Sequence, residues 1–372
     1  GTMFRTILIL SYLIPNLYLF LRIWKLFIPR GHKILYTLIY ALLFAVYPIS
    51  LMTGRGNDAR FYELIDDAAN YLLPFYLYLF LFVLLVDLFL LANLALKIAG
   101  RNILTGKIFR LRVLTLIILA SILVVVFGII NFNTIRVTEY KADIKRGASD
   151  LGGLRIAFVS DFHLHEDTPV KFVERFVSKV EEIDPDLMLF GGDIVEVGEM
   201  GESMERISSI IATINTRYGE FGVLGNHEHY GRHEKGEFFE KTGIELLRDT
   251  VVKVSSSFMI AGRNDSHERS RKSPDELLMS VEDSLPVILL DHRPTEIDLV
   301  SLTTADIQFS GHTHHGQLFP INLITGRIYK LSYGFRKIGN THFVVSSGIR
   351  LWGPPVRTVG KSEIVVVDLT FI

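Results

Sequence analysis

The chain has 372 residues, room for about two domains, and a formal charge of −1, so no global field draws it to nucleic acid. Its hydrophobic fraction is 49% and its mean hydropathy +0.33, both high for a soluble protein. It has no cysteine, which excludes disulfides, thiolate catalysis and cysteine-ligated zinc.

The apolar excess is concentrated in residues 3–133. Four stretches there, 6–28, 34–53, 71–96 and 113–132, reach the ~20 apolar residues that a membrane-crossing helix needs. They are apolar all round, which argues against amphipathic helices of a soluble core and for a four-helix transmembrane domain. Pro15 and Pro74 are expected to kink their helices. The first connecting segment and its flanks carry Arg22, Lys25, Arg30 and Lys33 without an acid. The third carries Lys97, Arg101, Lys107, Arg110 and Arg112, also without one. The middle segment sets Arg55 and Arg60 against Asp58, Glu63, Asp66 and Asp67. Basic loops stay in the cytoplasm, so the reading is a multi-pass inner (cell) membrane protein whose large C-terminal part faces away from it. Arg5 and the run Lys141, Lys145 and Arg146 weigh mildly the other way. Asp87 falls inside the third stretch, as a polar clamp between helices or as a functional group.

Residues 134–153 read as a connector, and 154–372 as a globular domain. Short apolar runs at 154–160, 187–190, 221–224, 258–261, 287–290, 307–310, 343–346 and 363–369 are expected as buried strands. Val173, Phe176, Val177 and Val180 have helical spacing, as do Met204, Ile207, Ile211 and Ile214. The alternation implies sheets inside and helices outside. Residues 263–276 read as a polar surface loop, and His32, His267 and His342 as surface residues. The stretch 317–331 reads either as core strands or as an apolar lip that admits a lipid tail.

Five short motifs follow these strands: Asp161-Phe-His163, Gly191-Gly-Asp193, Gly225-Asn-His-Glu228, Leu290-Asp-His292 and Gly311-His-Thr-His314. Each alone is weak; five in this order, each past a strand, point to one site. Carboxylate, amide carbonyl and imidazole together suit borderline divalent ions such as Mn, Fe, Zn or Co. One carboxylate can bridge two ions. A water bridging them would lose its proton near neutral pH and attack phosphorus.

The order of these motifs resembles the calcineurin-like metallophosphoesterase superfamily, over roughly 150–370. The resemblance implies an α/β domain of two packed mixed β-sheets flanked by helices. It implies Asp161, His163, Asp193 and His314 on one metal, and Asp193, Asn226, His292 and His312 on a second. His227 would donate to the phosphate or leaving group, and Glu228 would orient it. The tail Ser347-Gly-Ile-Arg-Leu-Trp-Gly-Pro-Pro-Val-Arg357 is similar to a bacterial branch with cell-wall phosphoesterases and UDP-2,3-diacylglucosamine pyrophosphatases. Glu228 departs from the family's usual Asp; His315 and Arg350 stand where Gly is common. His315 and Arg350 are expected to contact substrate; of the further histidines near the motifs, His165, His229 and His233, the first two are expected on the substrate cleft or its rim. The expected function is hydrolysis of a phosphate or pyrophosphate ester of a lipid or lipid-linked substrate at the bilayer, with two divalent ions, Mn foremost, in the cell envelope. The alternatives are a tethered phosphatase or phosphodiesterase for soluble substrates, and a cytosol-facing UDP-diacylglucosamine pyrophosphatase. No nucleic acid partner is expected.

Overall fold

The computed structural model describes residues 2–53, 60–146, 151–196, 201–230, 236–279, 281 and 284–372. Arg55, Asp58 and His233 lie outside the described residues. The chain divides into two compact units, Gly1–Ile129 with Gly353–Thr358, and Ile130–Trp352 with Val359–Ile372.

The first unit is helical: α1 (Thr2–Leu26), α2 (Lys33–Thr53), α3 (Arg60–Leu96), the short α4 (Arg101–Thr105) and α5 (Lys107–Asn133). Among the described residues three segments are long and apolar enough to cross a membrane: Arg30–Met52, Phe61–Leu96 and Lys107–Asn133. This corrects the expected four. The first stretch is a helix of sufficient length, but Asn16 lies at its middle and Arg22 and Lys25 in its last turns. The second of the three segments also starts ten residues before the expected position 71. Helices α1 and α3 run through Pro15 and Pro74.

Polar side chains tie these helices together. The Tyr40 hydroxyl of α2 donates to the Asn16 carbonyl at 2.9 Å, and the Tyr12 hydroxyl of α1 to the Phe44 carbonyl at 2.8 Å. Asp87 of α3 takes a hydrogen bond from Arg22 Nε at 2.7 Å, and is bonded also by Arg22 Nη2 and Tyr18. The charge is therefore a clamp between α1 and α3. Removing one partner leaves the other charge among apolar helices. Asp87→Leu alone is expected to cost about 2 kcal/mol, and the double change Arg22→Met with Asp87→Leu to recover most of it. Thermal unfolding in detergent checks this; equal losses in the single and double variants would refute the clamp.

The second unit contains the strands β1 (Ile135–Ile144), β2 (Gly153–Val159), β3 (Leu187–Phe190), β4 (Glu220–Gly222), β5 (Glu245–Leu246), β6 (Thr250–Val254), β7 (Phe258–Gly262), β8 (Val287–Leu290), β9 (Ile307–Ser310), β10 (Gly334–Ile338), β11 (Thr341–Val345) and β12 (Ser362–Phe371). Its helices are α6 (Val170–Ile183), α7 (Glu202–Ile211), α8 (Glu237–Thr242), α9 (Pro274–Leu278), α10 (Ile297–Val300) and α11 (Ile321–Ile328). Two six-stranded sheets form, ordered β1-β12-β2-β3-β4-β5 and β10-β11-β9-β8-β7-β6. In the first, β2, β3, β4 and β5 are parallel and β12 runs against β2; in the second, β7, β8, β9 and β11 are parallel. The expected two mixed sheets are present.

The layers follow from two-sided burial of short apolar strands. Phe158 and Ile156 of β2 meet Phe309 and Ile307 of β9 between the sheets, with the Phe158 and Phe309 rings 5.1 Å apart. The opposite face of the first sheet packs on Val173, Phe176, Val177 and Val180 of α6 and Met204, Ile207 and Ile211 of α7, the residues with helical spacing. The second sheet buries its outer face against Leu277, Leu278, Ile297 and Val300.

Three sequence readings change. Residues 263–276 are not simply surface: Arg263 and Asp265 are buried, and 274–278 form α9. Arg263 Nη1 donates to Asp291 at 2.7 Å and to Glu296 at 2.8 Å, and Arg271 donates to Asp291 at 2.7 Å, which fixes the chain next to His292. His342 is buried, its ring 5.4 Å from Phe335. The stretch 317–331 forms no strand; it holds α11, none of whose residues is buried.

Candidate metal centre

The chemistry-bearing residues sit in loops just past parallel strands. Asp161 and His163 follow β2, Asp193 follows β3, and Asn226 and His227 follow β4, all from one sheet. His292 follows β8, and His312 and His314 follow β9, from the other. Five of these residues, Asp161, His163, Asp193, His312 and His314, have positive φ between 47° and 69°. Left-handed backbone in non-glycine residues costs energy and persists only where surrounding contacts enforce it. Here the Asp161 and His163 backbone N–H groups bond the carbonyls of Gly192 and Asp193 in the neighbouring loop, at 2.9 and 3.0 Å. Two glycines make the convergence possible. A Cβ at Gly225 would lie 2.2 Å from Asp193 Oδ1, and one at Gly311 2.2 Å from Asp161 Oδ2.

Three groups of donor atoms, each within 4.8 Å of one another, result: Asp161, His163 and His314; His163, Asp193 and His227; and Asp193, His292 and His312. His163 Nε2 and His314 Nε2 face each other at 3.3 Å, and His314 Nε2 lies 3.5 Å from Asp161 Oδ1. Asp193 Oδ1 accepts the His227 backbone N–H at 2.7 Å, while its Oδ2 lies 3.1 Å from His292 Nε2. The backbone N–H of His312 donates to the Asp161 carboxylate at 3.0 and 3.1 Å.

The donor set fits divalent ions. His292 Nδ1 donates to the Gly191 carbonyl at 2.8 Å, so Nε2, buried and 3.1 Å from Asp193 Oδ2, is the ring nitrogen that can face an ion. The Asn226 amide nitrogen donates to the Tyr230 hydroxyl at 3.1 Å; its carbonyl oxygen is buried and has no hydrogen-bond partner. Buried acceptors aimed at one place, with their other ends fixed by the protein, are what a metal ligand requires.

Charge in the site is strongly displaced. Burial raises the Asp161 carboxyl above its ordinary value. Burial opposes ionisation of Asp193 too, but the neighbouring His292 outweighs it and holds that carboxyl well below the usual range. His292 is lowered by burial and raised more by Asp193 and Asp161, to about 10. His312, buried beside His292 and Arg293, is pushed down to about 3. Such opposed shifts packed into one cleft mark functional sites.

The structure reassigns Glu228. It does not orient His227; its buried carboxylate accepts backbone N–H groups of Asp193 at 3.1 Å, Ile194 at 2.5 Å, Val195 at 3.1 Å and Gly225 at 2.8 Å. It pins the loop that presents Asp193, and burial next to Asp193 pushes it up to about 7. Glu228→Gln should forfeit part of this cradle at about 3 kcal/mol, a fall in Tm of roughly 5–10 °C. Calorimetry of the full chain measures it; an unchanged Tm would remove Glu228 from this role.

The residue that holds His227 is Glu196, which the sequence reading missed. Its carboxylate takes His163 Nδ1 at 2.7 Å and His227 Nδ1 at 2.9 Å. It lies three residues past Asp193, the one signal that could have found it.

The remaining expected site residues are dispersed. Arg350 is buried, with its guanidinium over the rings of Phe132 and Phe172 at 4.9 and 4.8 Å, and burial lowers it to about 10. Its backbone N–H donates to the Asp161 carbonyl at 3.0 Å. The His315 ring lies against Tyr333 at 4.7 Å. His165 is half-buried, with Nδ1 3.6 Å from Asp167, and is in none of the three donor groups found among the described residues. His229 stacks against His267 at 5.9 Å, and His267 meets the exposed Tyr230. Tyr230 and the exposed Trp352 lie 5.1 and 6.0 Å from the His227 ring and form an aromatic rim that the sequence did not reveal.

Comparison with known proteins agrees with this architecture. The profile of the calcineurin-like phosphoesterase family matches residues 154–316. An uncharacterized metallophosphoesterase of Campylobacter jejuni is 28% identical over 381 residues, 98% of each chain. One of Aquifex aeolicus is 32% identical over 224 residues, 58% of this chain and 85% of its own. The UDP-2,3-diacylglucosamine pyrophosphatase LpxG of Chlamydia muridarum is 24% identical over 234 residues, 50% of this chain and 71% of its own. The chain belongs to the calcineurin-like metallophosphoesterase family and is a phosphoester hydrolase. That family uses divalent metal ions, which the donor groups suit.

Proposed function

We propose that the protein is a membrane-bound phosphoesterase that uses two divalent ions to hydrolyse a phosphate or pyrophosphate ester of a lipid or lipid-linked molecule. Residues 3–133 would form its membrane domain, 134–153 the connector and 154–372 the catalytic domain. The observation that carries the proposal is that Asp193 belongs to two donor groups at once, in a chain with three helices able to cross a bilayer. One ion would be held by Asp161, His163, Asp193 and His314, and the other by Asp193, Asn226, His292 and His312. When bound, the ions would neutralise phosphoryl charge and lower the pKa of bound water. The mixed oxygen and nitrogen donors suit Mn, with Fe, Zn or Co also compatible. His227, held by Glu196, would donate a proton to the leaving oxygen. The charge of the connecting segments favours an extracytoplasmic catalytic domain. LpxG acts, by its name, on a lipid-linked pyrophosphate, which favours a cytosol-facing pyrophosphatase as the second reading.

The test is phosphate release by the Mn-loaded protein in detergent. Lipid phosphates, UDP-linked and other lipid pyrophosphates and soluble phosphoesters are compared, with Asn226→Ala as control. Preference for one lipid class is expected, and UDP-linked lipid as the preferred substrate would select the second reading. Equal turnover of soluble esters would reduce the helices to an anchor.

A further inference from the structure

Five exposed large apolar side chains of the second unit fall within residues 319–328, on one short segment that follows the His314 turn. After the turn that carries His314, the chain runs through Gln317, Leu318 and Phe319 into α11. The first turn of that helix is packed on the His314 turn, since a Cβ at Gly316 would lie 2.5 Å from the backbone nitrogen of Asn322. None of its residues is buried. Phe319, Leu323, Ile324 and Ile328 are 48%, 57%, 59% and 68% exposed. An apolar group of this kind in water signals a partner.

The surroundings state which partner. Arg327 sits in the last turn of α11, and Lys330, Arg336 and Lys337 lie just beyond it. Arg336 donates to the Lys330 backbone carbonyl at 3.3 Å, which sets its guanidinium beside that end of the segment; Asp298, paired with Lys330, is the neighbouring acid. Apolar side chains flanked by cations are the composition of a helix that lies in a membrane surface, with its apolar residues among acyl chains and its cations at anionic headgroups. The bilayer is also a partner the chain brings with it: α5 ends at Asn133 and β1 begins at Ile135, so a single residue separates the last apolar helix from the first strand of the catalytic unit.

We propose that α11 is an interfacial helix that inserts into the lipid surface and keeps the His314 side of the metal centre at the bilayer. This deepens the lipid-substrate reading, but its first test does not depend on any turnover. Because the chain has no cysteine, Ile324→Cys and, as reference, Ser209→Cys on α7 can each be labelled in the full chain with an environment-sensitive fluorophore. The labelled proteins are reconstituted in phosphatidylcholine vesicles with phosphatidylglycerol and nitroxide-bearing acyl chains. The label at 324 is expected to be quenched several-fold more than the label at 209, and less so when phosphatidylglycerol is omitted. Equal quenching would overturn the proposal. So would a label at 324 that is shielded from water but out of reach of the nitroxide, the pattern of a protein partner. A triple variant, Leu323→Ser, Ile324→Ser and Ile328→Ser, should keep its turnover of p-nitrophenyl phosphate and, labelled at Phe319→Cys, lose the quenching seen at that position in the parent. A triple variant that loses soluble turnover would make α11 part of the catalytic scaffold and overturn the proposal. Absence of all hydrolysis in the parent would defeat the functional reading, while the quenching result would still stand.

Discussion

Asp193→Ala should lower phosphoester turnover at least ~10⁴-fold, equivalent to about 5 kcal/mol of barrier. Asp193 is the one side chain proposed as a ligand of both ions. Its Oδ1 receives the His227 backbone N–H, its Oδ2 faces His292 Nε2, and its carboxylate is common to the groups with His163 and with His292 and His312. Loss of the carboxylate therefore weakens both proposed ion sites together, whereas loss of His312 weakens one. Bound metal, measured by mass spectrometry after gel filtration, should fall from about two ions per chain to one or none. Asp193→Asn separates charge from shape. The amide fills the same space and still accepts the His227 N–H, but it carries no negative charge to share between cations. It should lose metal as the alanine variant does, while circular dichroism and the helical content stay unchanged. Full activity in either variant would sink the two-metal assignment. Metal loss with unfolding in both would leave Asp193 a structural role.

Much of this centre could be read from the sequence because the fold is regular there. Short apolar strands of four residues, Leu187–Phe190, Val287–Leu290 and Ile307–Ser310, are buried on both faces, so their ends could be placed to within a residue or two. Each motif past such an end had to lie on the same side of its sheet, and parallel strands bring those ends together. What sequence adjacency could not supply was direction. Glu228 is next to His227, and proximity in the chain suggested a pair. The turn His227–His229 instead points neighbours apart, and the Glu228 carboxylate is consumed by four backbone donors. Glu196 belongs to none of the five motifs, and it is the fold of β3 against β2 that brings it to two imidazoles at once. In the membrane half, length and apolarity identified the helical segments, yet the polar residues of α1 were given too little weight. The α11 segment left two readings open, core strands and an apolar lip, because its composition matches both; the structure rules out the strands, and nothing in a single sequence says that a helix of such residues is left exposed.

Glu196→Gln should reduce turnover ~10²-fold and His227→Asn ~10²–10⁴-fold, both with metal retained, as expected for loss of a general acid or of its support. His227 is lowered by burial, but the hydrogen bond to Glu196 and the charges of Asp193, Glu196 and Glu228 outweigh this and raise it above the ordinary imidazole value. Glu196 in turn, though burial opposes its ionisation, is held down to about 2 by His163 and His227. The sign follows directly. A proton donor is active while it holds its proton, so the reaction should proceed up to the raised pKa of His227 and fade as pH rises through it. In Glu196→Gln the largest support is gone and burial dominates, so the alkaline limb of kcat/KM should move to lower pH. The pair also contributes stability over the same window. The Glu196 share appears above the ordinary carboxylate range and is lost as pH falls through about 2; the His227 share is full below the ordinary imidazole value and is lost as pH rises through the raised one. Leaving-group chemistry separates this role from a merely structural one. p-Nitrophenolate departs without a proton, whereas an alkoxide does not. Both variants should thus lose much more activity on an alkyl phosphate than on p-nitrophenyl phosphate, with KM little changed. Equal losses on the two esters, or loss of metal from His227→Asn, would place His227 among the ligands, as its grouping with His163 and Asp193 also permits.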